Sequence, residues 1–174
     1  GDKQSAIDDY NLAIKINPND APAYYNRGNV RNDLGEKQGA RADYNRAIQF
    51  TPNYPNAYNT RGHVRYDLGD KQSAIDDYNL AIKFNPNLAQ AYNNRGNVRY
   101  DLGDNQGAID DYNLVIKIDP NDADAYNNRG NAYATLGDKF QAISDFKQAA
   151  KIYQQQGNNE TYQDALNRIR ELQP

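Results

Sequence analysis

"AYNTRGHVRYDLGDKQSAIDDYNLAIKFNP" occupies residues 57–86, and "AYNNRGNVRYDLGDNQGAIDDYNLVIKIDP" occupies residues 91–120, the same pattern 34 residues later. Pro18, Pro52, Pro86 and Pro120 keep that interval, as do Gly1, Gly35, Gly69, Gly103 and Gly137, and the aromatic series Tyr10, Tyr44, Tyr78, Tyr112 and Phe146. A fixed period of this length marks an array of repeats. In every copy, two segments of helical periodicity flank "LGD" or "LGE". The glycine there ends the first helix and the acidic residue caps the second, while proline closes the unit. Each unit therefore reads as a helical hairpin. The expected architecture is all-α, an α-solenoid of stacked antiparallel hairpins forming a single domain over 1–174. It comprises a half repeat at 1–19 with a lone second helix at 2–17, and full repeats at 20–53, 54–87, 88–121 and 122–155. A cap segment at 156–174 follows, with its helix at about 159–172.

Composition narrows the function. Mean hydropathy is −1.06, low enough to suggest disorder, but 15 tyrosines recurring in fixed phase with aliphatic residues argue for a folded chain. Twenty basic and 23 acidic residues are interspersed for a net charge of −3, so no basic field exists to hold nucleic acid. Without cysteine there is neither a disulfide nor a thiolate metal site, and the compartment stays open. No apolar run of membrane-spanning length occurs, and no signal peptide is visible. Gly1 falls inside a repeat period, as the start of a segment of a longer protein would. No nucleophile–base–acid set, phosphate loop or metal cluster stands out, so no catalytic residue, metal or cofactor is expected.

The pattern resembles the tetratricopeptide repeat, and the resemblance implies that the α-solenoid is right-handed. Numbered from Ala21, the family's characteristic positions 4, 8, 20, 24, 27 and 32 are Tyr24, Gly28, Ala40, Tyr44, Ala47 and Pro52. The later repeats follow from Pro55, Ala89 and Ala123, and the last has Gln154 where proline would fall, so its second helix should run on to Gln156. Two departures from the family matter. Position 7, usually leucine, is Arg27, Arg61, Arg95 and Arg129; position 11, usually tyrosine, is Arg31, Arg65 and Arg99, returning to Tyr133.

At about 100° per residue, positions 3, 4, 7, 8, 10, 11 and 14 of the first helix share one side. In the third repeat that side holds Ala91, Tyr92, Gly96, Val98 and Leu102, and it should pack. Glycine at position 8 implies a close backbone approach, opposite the small alanine of position 20. Arginines in a packed side need carboxylates, because an unpaired buried charge is very costly. Position 23 is aspartate in all five second helices: Asp9, Asp43, Asp77, Asp111 and Asp145. The expectation is a repeated ion pair, from a repeat's own second helix or the preceding one, that fixes helix register.

The opposite side of the first helix carries amides. Positions 5, 6, 9 and 12 give candidate peptide-binding residues Asn26, Asn29, Asn59, His63, Tyr66, Asn93, Asn94, Asn97, Tyr100, Asn127, Asn128 and Asn131. An asparagine side chain offers a donor and an acceptor that match an extended peptide backbone. The strip resembles the asparagine-lined superhelix of protein O-linked N-acetylglucosamine transferases, in which the resemblance implies that first helices line a concave groove. The carboxylate clamp of chaperone-tail-binding members needs basic residues at positions 2, 5 and 6; here none is basic. Asp33 and Asp67 are expected to pair with Lys37 and Lys71 four residues on. Asparagine also recurs outside the groove, at Asn11, Asn45, Asn79 and Asn113, so the alternative reading of the amide strip is a solvated face.

The function expected is therefore a non-enzymatic scaffold whose partner is another protein or peptide, not nucleic acid or membrane. The alternatives are self-association through helix 2–17, whose Ile7, Tyr10, Ile14 and Ile16 form an apolar stripe, and a substrate-docking array belonging to a larger enzyme.

Overall fold

A computed structural model describes residues 3–173. Asp2, where the expected first helix begins, lies outside them. Among the described residues there are ten helices and no strand. The fold is all-α and its helices follow the 34-residue period: α1 (Lys3–Ile16), α2 (Ala21–Asp33), α3 (Lys37–Phe50), α4 (Pro55–Asp67), α5 (Lys71–Phe84), α6 (Ala89–Asp101), α7 (Asn105–Ile118), α8 (Ala123–Thr135), α9 (Lys139–Gln155) and α10 (Asn159–Leu172). The residues form two compact units, one up to Ala91 and one from Tyr92 onward.

Helix ends follow from local chemistry. Gly69 and Gly137 take φ of 86° and 84°, a left-handed conformation that side chains with a Cβ avoid. The next residue's N–H then reaches back to a helix carbonyl, as Asp70 does to Arg65 at 2.9 Å and Asp138 to Tyr133 at 2.9 Å. The same aspartates start the following helices: Asp70, Asp104 and Asp138 accept from the N–H of Ser73, Gly107 and Gln141 at 3.2, 3.0 and 3.1 Å. Glu36 in the equivalent place makes no such side-chain bond, its extra methylene setting the carboxylate beyond capping geometry.

In the first unit, α1 packs on α2, α2 on α3, α3 on α4 and α4 on α5. Fully buried Ala40, Ala47, Ala57, Ala74 and Ala81 let the helices approach closely, and Tyr44 and Tyr78 fill the space between them. In the second, α7 packs on α8, α8 on α9 and α9 on α10, around Ala108, Tyr112, Val115, Ala142 and Phe146. Burying each such ring contributes about 2–3 kcal/mol. The cap helix buries Ala165 and Ile169, packs Ile169 against Ala142 and Phe146 with Leu166 and Leu172 partly buried beside it, and is otherwise polar.

Three packing expectations are corrected. The position-8 glycines do not face a backbone or the position-20 alanine. A Cβ on Gly28, Gly62, Gly96 or Gly130 would meet a ring carbon of Tyr44, Tyr78, Tyr112 or Phe146 at 2.7–2.8 Å. Each glycine is a seat for the aromatic ring of its own repeat. Leu102, assigned to the packed side, is 53% exposed because it sits at the helix end where the chain turns away. In α1 the apolar stripe is only partly open: Ile7 is buried on α2 and Tyr10 and Ile14 are half-buried, leaving Leu12 and Ile16 exposed, the latter at 77%.

Candidate functional site: an arginine-braced amide face

The position-7 arginines and position-23 aspartates meet within each repeat. In the first unit Arg27 donates through Nε and Nη2 to Asp43 at 2.9 and 2.6 Å, and Arg61 to Asp77 at 2.8 and 2.5 Å. In the second, Arg95 reaches Asp111 at 3.0 and 2.5 Å, and Arg129 reaches Asp145 at 2.7 and 2.7 Å. These are two-pronged, charge-assisted bonds. The hydrogen bonds that Arg129 donates to Asp145 raise its pKa above the ordinary guanidinium value.

A second arginine joins three of the four carboxylates. Arg31, Arg65 and Arg99 place Nη1 at 2.8, 3.0 and 3.0 Å from Oδ2 of Asp43, Asp77 and Asp111. Asp77 and Asp111 are 1% exposed. Each of these three buried carboxylates is shared by two guanidiniums, and Arg31 and Arg99 also approach Glu36 and Asp104 at 3.7 and 3.8 Å. Tyr133 replaces the second arginine at Asp145. Asp9, expected in the same series, is exposed and has no ion pair among the described residues.

The third arm of three position-7 guanidiniums is taken up by asparagines that lie outside the amide strip. Arg27 Nη1 donates to Asn11 Oδ1 at 2.7 Å, Arg61 to Asn45 at 2.7 Å and Arg129 to Asn113 at 2.6 Å. The carboxylate thus comes from the repeat's own second helix and the amide from the preceding one. Each guanidinium also lies over the position-4 ring, 5.4 Å from the Tyr24, Tyr58 and Tyr126 centroids. The sequence carries the regularity, asparagine following the in-phase tyrosine in α1, α3, α5 and α7, but not the contact, which joins neighbouring repeats.

On the amide side, the candidate residues are half-buried rather than presented to water. Asn59 is buried at 7% exposure and His63 is exposed. Asn29 Oδ1 accepts from the Tyr44 hydroxyl at 2.9 Å, and Asn97 Oδ1 accepts from Tyr112 at 2.7 Å and from Asn128 Nδ2 at 3.3 Å. Burial pushes both tyrosines well above the usual phenol range. Where the hydroxyl is missing, at Phe146, Asn131 accepts instead from Arg168 of the cap helix at 2.6 Å. Asn26 and Asn127 make no side-chain hydrogen bond among the described residues, and Asn93 Oδ1 is buried without a partner. Tyr100 meets Thr135 at 3.1 Å, and Lys71 lies 5.9 Å above the Tyr66 ring. Asn94 is half-buried like its neighbours.

The position-13 aspartates pair differently from expectation. Lys37 binds Asp67 of the next repeat at 2.8 Å, and Lys3 lies 3.8 Å from Asp33. A lysine at the start of a second helix faces the end of the following first helix, a juxtaposition that four-residue spacing does not reveal. Among the described residues no group of His, Cys, Asp and Glu could hold a metal, and no helix is long and apolar enough to cross a membrane.

Several solved structures share this fold. The crystal structure of MamA superposes with a TM-score of 0.85 at 28% identity, over 91% of this chain and 92% of that one. YrrB, described as a TPR protein with an unusual peptide-binding site, gives 0.78 at 23% identity over 95% and 84%. The first TPR of Spaghetti (RPAP3), bound to the HSP90 peptide SRMEEVD, gives 0.66 at 26% over 67% and 93%. No curated protein matches in sequence. Family profiles described as TPR repeat match residues 1–35, 28–69, 62–103 and 96–137, and a tetratricopeptide repeat profile matches 123–156. With that coverage, and with hairpins in the matching phase, the chain belongs to the tetratricopeptide repeat family.

Proposed function

We propose that this chain is a protein-interaction scaffold that holds an extended segment of another protein along the amide-bearing side of its first helices. Family membership supports the scaffold role, and a relative at 26% identity is seen with a bound peptide. The observation that carries the finer reading is the fixed orientation of Asn29 and Asn97. With each Oδ1 held by a buried tyrosine hydroxyl, the Nδ2 group is the free end of the amide. The strip therefore offers donors, and a peptide's carbonyl oxygens are their natural acceptors. Each such bond contributes about 1 kcal/mol net, and ordering a flexible ligand offsets part of it, so affinity falls in the micromolar range at about −8 kcal/mol. The clamp positions lack basic residues, so the ligand is not an acidic tail held by its terminal carboxylate.

Two variants separate binding from folding. Asn26→Ala with Asn127→Ala removes no internal bond, and Asn97→Asp keeps the acceptor for Tyr112 while deleting the donor. Both should weaken capture on an array of extended peptides while leaving the melting temperature near that of the parent. Unchanged capture by both overturns the reading. A second reading, self-association through α1, is favoured by the exposure of Leu12 and Ile16 and predicts a mass that rises with concentration in sedimentation, abolished by Ile16→Glu.

A further inference from the structure

Repeat 20–53 differs from its neighbours along one stripe of its second helix. Ala42 stands where Asp8, Asp76 and Asp110 carry a carboxylate, and Arg46 stands where Leu12, Leu80 and Leu114 are apolar. Ala42, Asn45, Arg46 and Gln49 follow helical spacing and share one face of α3. That face and the arginine side of α2 bound an open crevice of about 590 Å³, whose lining includes Arg27, Arg31 and Arg46.

Its charge is positive. Arg27 and Arg31 share Asp43, and Arg31 also lies 3.7 Å from Glu36, while Arg46 has no ion pair among the described residues and is steadied by Gln49 at 2.9 Å. A guanidinium has five N–H groups, so both paired arginines keep donors for a ligand. The helix as a whole repeats the trend: α3 carries three basic and one acidic side chain, α5 two of each, and α7 one basic and two acidic. In a chain of net charge −3, this places a local cationic field on one repeat.

We propose that this crevice is a second binding site, for the carboxylate side chains of an acidic protein segment. It is lined by the arginine side of α2 and the outward stripe of α3, not by the amide strip, so it stands independently of the peptide-holding role. Replacing Asp by Ala at position 42 removes the carboxylate that would repel an anion, and Arg46 supplies an unshared fork matched to a second carboxylate.

The test is a titration of the folded chain with N-acetyl-tetraglutamate amide, followed by backbone amide chemical shifts, with inorganic phosphate as a parallel arm. The peptide should shift α3 resonances, more weakly at higher salt. Ala42→Asp with Arg46→Leu, which installs residues that the next repeat carries at these positions, should lower affinity about tenfold or more. Arg46→Gln alone, kept in helix-favouring chemistry, should lower it in the same direction. No response in the parent chain, an unchanged affinity in both variants, or a response to phosphate alone would each overturn the proposal.

Discussion

The Tyr112 hydroxyl lies 2.7 Å from Asn97 Oδ1, joining a ring buried in the second helix of its repeat to an amide on the first. Tyr44 and Asn29 repeat this relationship, whereas Tyr78 has His63 in the asparagine's place. Tyr112→Phe should therefore destabilise the chain by about 1 kcal/mol, the net value of one hydrogen bond. Tyr78→Phe should do less. Urea unfolding of the two variants side by side reads the difference.

Burial raises the pKa of Tyr44, Tyr78 and Tyr112 well above the ordinary phenol value. A group whose folded pKa exceeds its unfolded one contributes stability that is complete below the unfolded value and is lost as pH climbs past it. The melting temperature should stay level up to about pH 10 on this account and fall above it. Tyr78→Phe should make that alkaline decline shallower, measurable by circular dichroism melts across the pH series.

Asp111 receives Arg95 and Arg99, while Asp145 receives Arg129 alone. Asp111→Asn keeps the shape but leaves two guanidiniums facing a neutral amide, and should cost about 3–5 kcal/mol as for a broken buried pair. Asp145→Asn, with one arginine that is also held by Asn113, should cost less. Chemical denaturation of both variants gives the comparison.

A methyl group at Gly96 would come within 2.8 Å of the Tyr112 ring. Gly96→Ala should be destabilising by about 1–3 kcal/mol from overpacking, although alanine is the better helix former by about 1 kcal/mol. The sign decides between ring seat and bare helix glycine: a stabilised variant would show that the ring moves aside freely.

The array, the hairpins, the turn glycines and the capping aspartates were legible without coordinates, since each depends on residues close in sequence and repeats at a fixed interval. Pairing of Arg27 with Asp43 could also be reasoned, because a buried guanidinium requires a carboxylate and position 23 is aspartate in every second helix. The role of Asn45 could not, because its partner Arg61 belongs to the next repeat and the stacking distance sets their contact. Lys37 likewise reaches Asp67, thirty residues on, rather than the acid one helical turn away.

Chain chemistry alone determined which residues lie on the packed side and which carry amides, because helical phase is a local property. Tertiary packing decided how those amides are used: a buried tyrosine holds the oxygen of Asn29 or Asn97, and the second unit's cap helix takes that of Asn131 through Arg168. The physical reason is that hydrogen bonds form at contact distance, and contact between separate helices is fixed by the packing of small alanines and glycines beneath large rings.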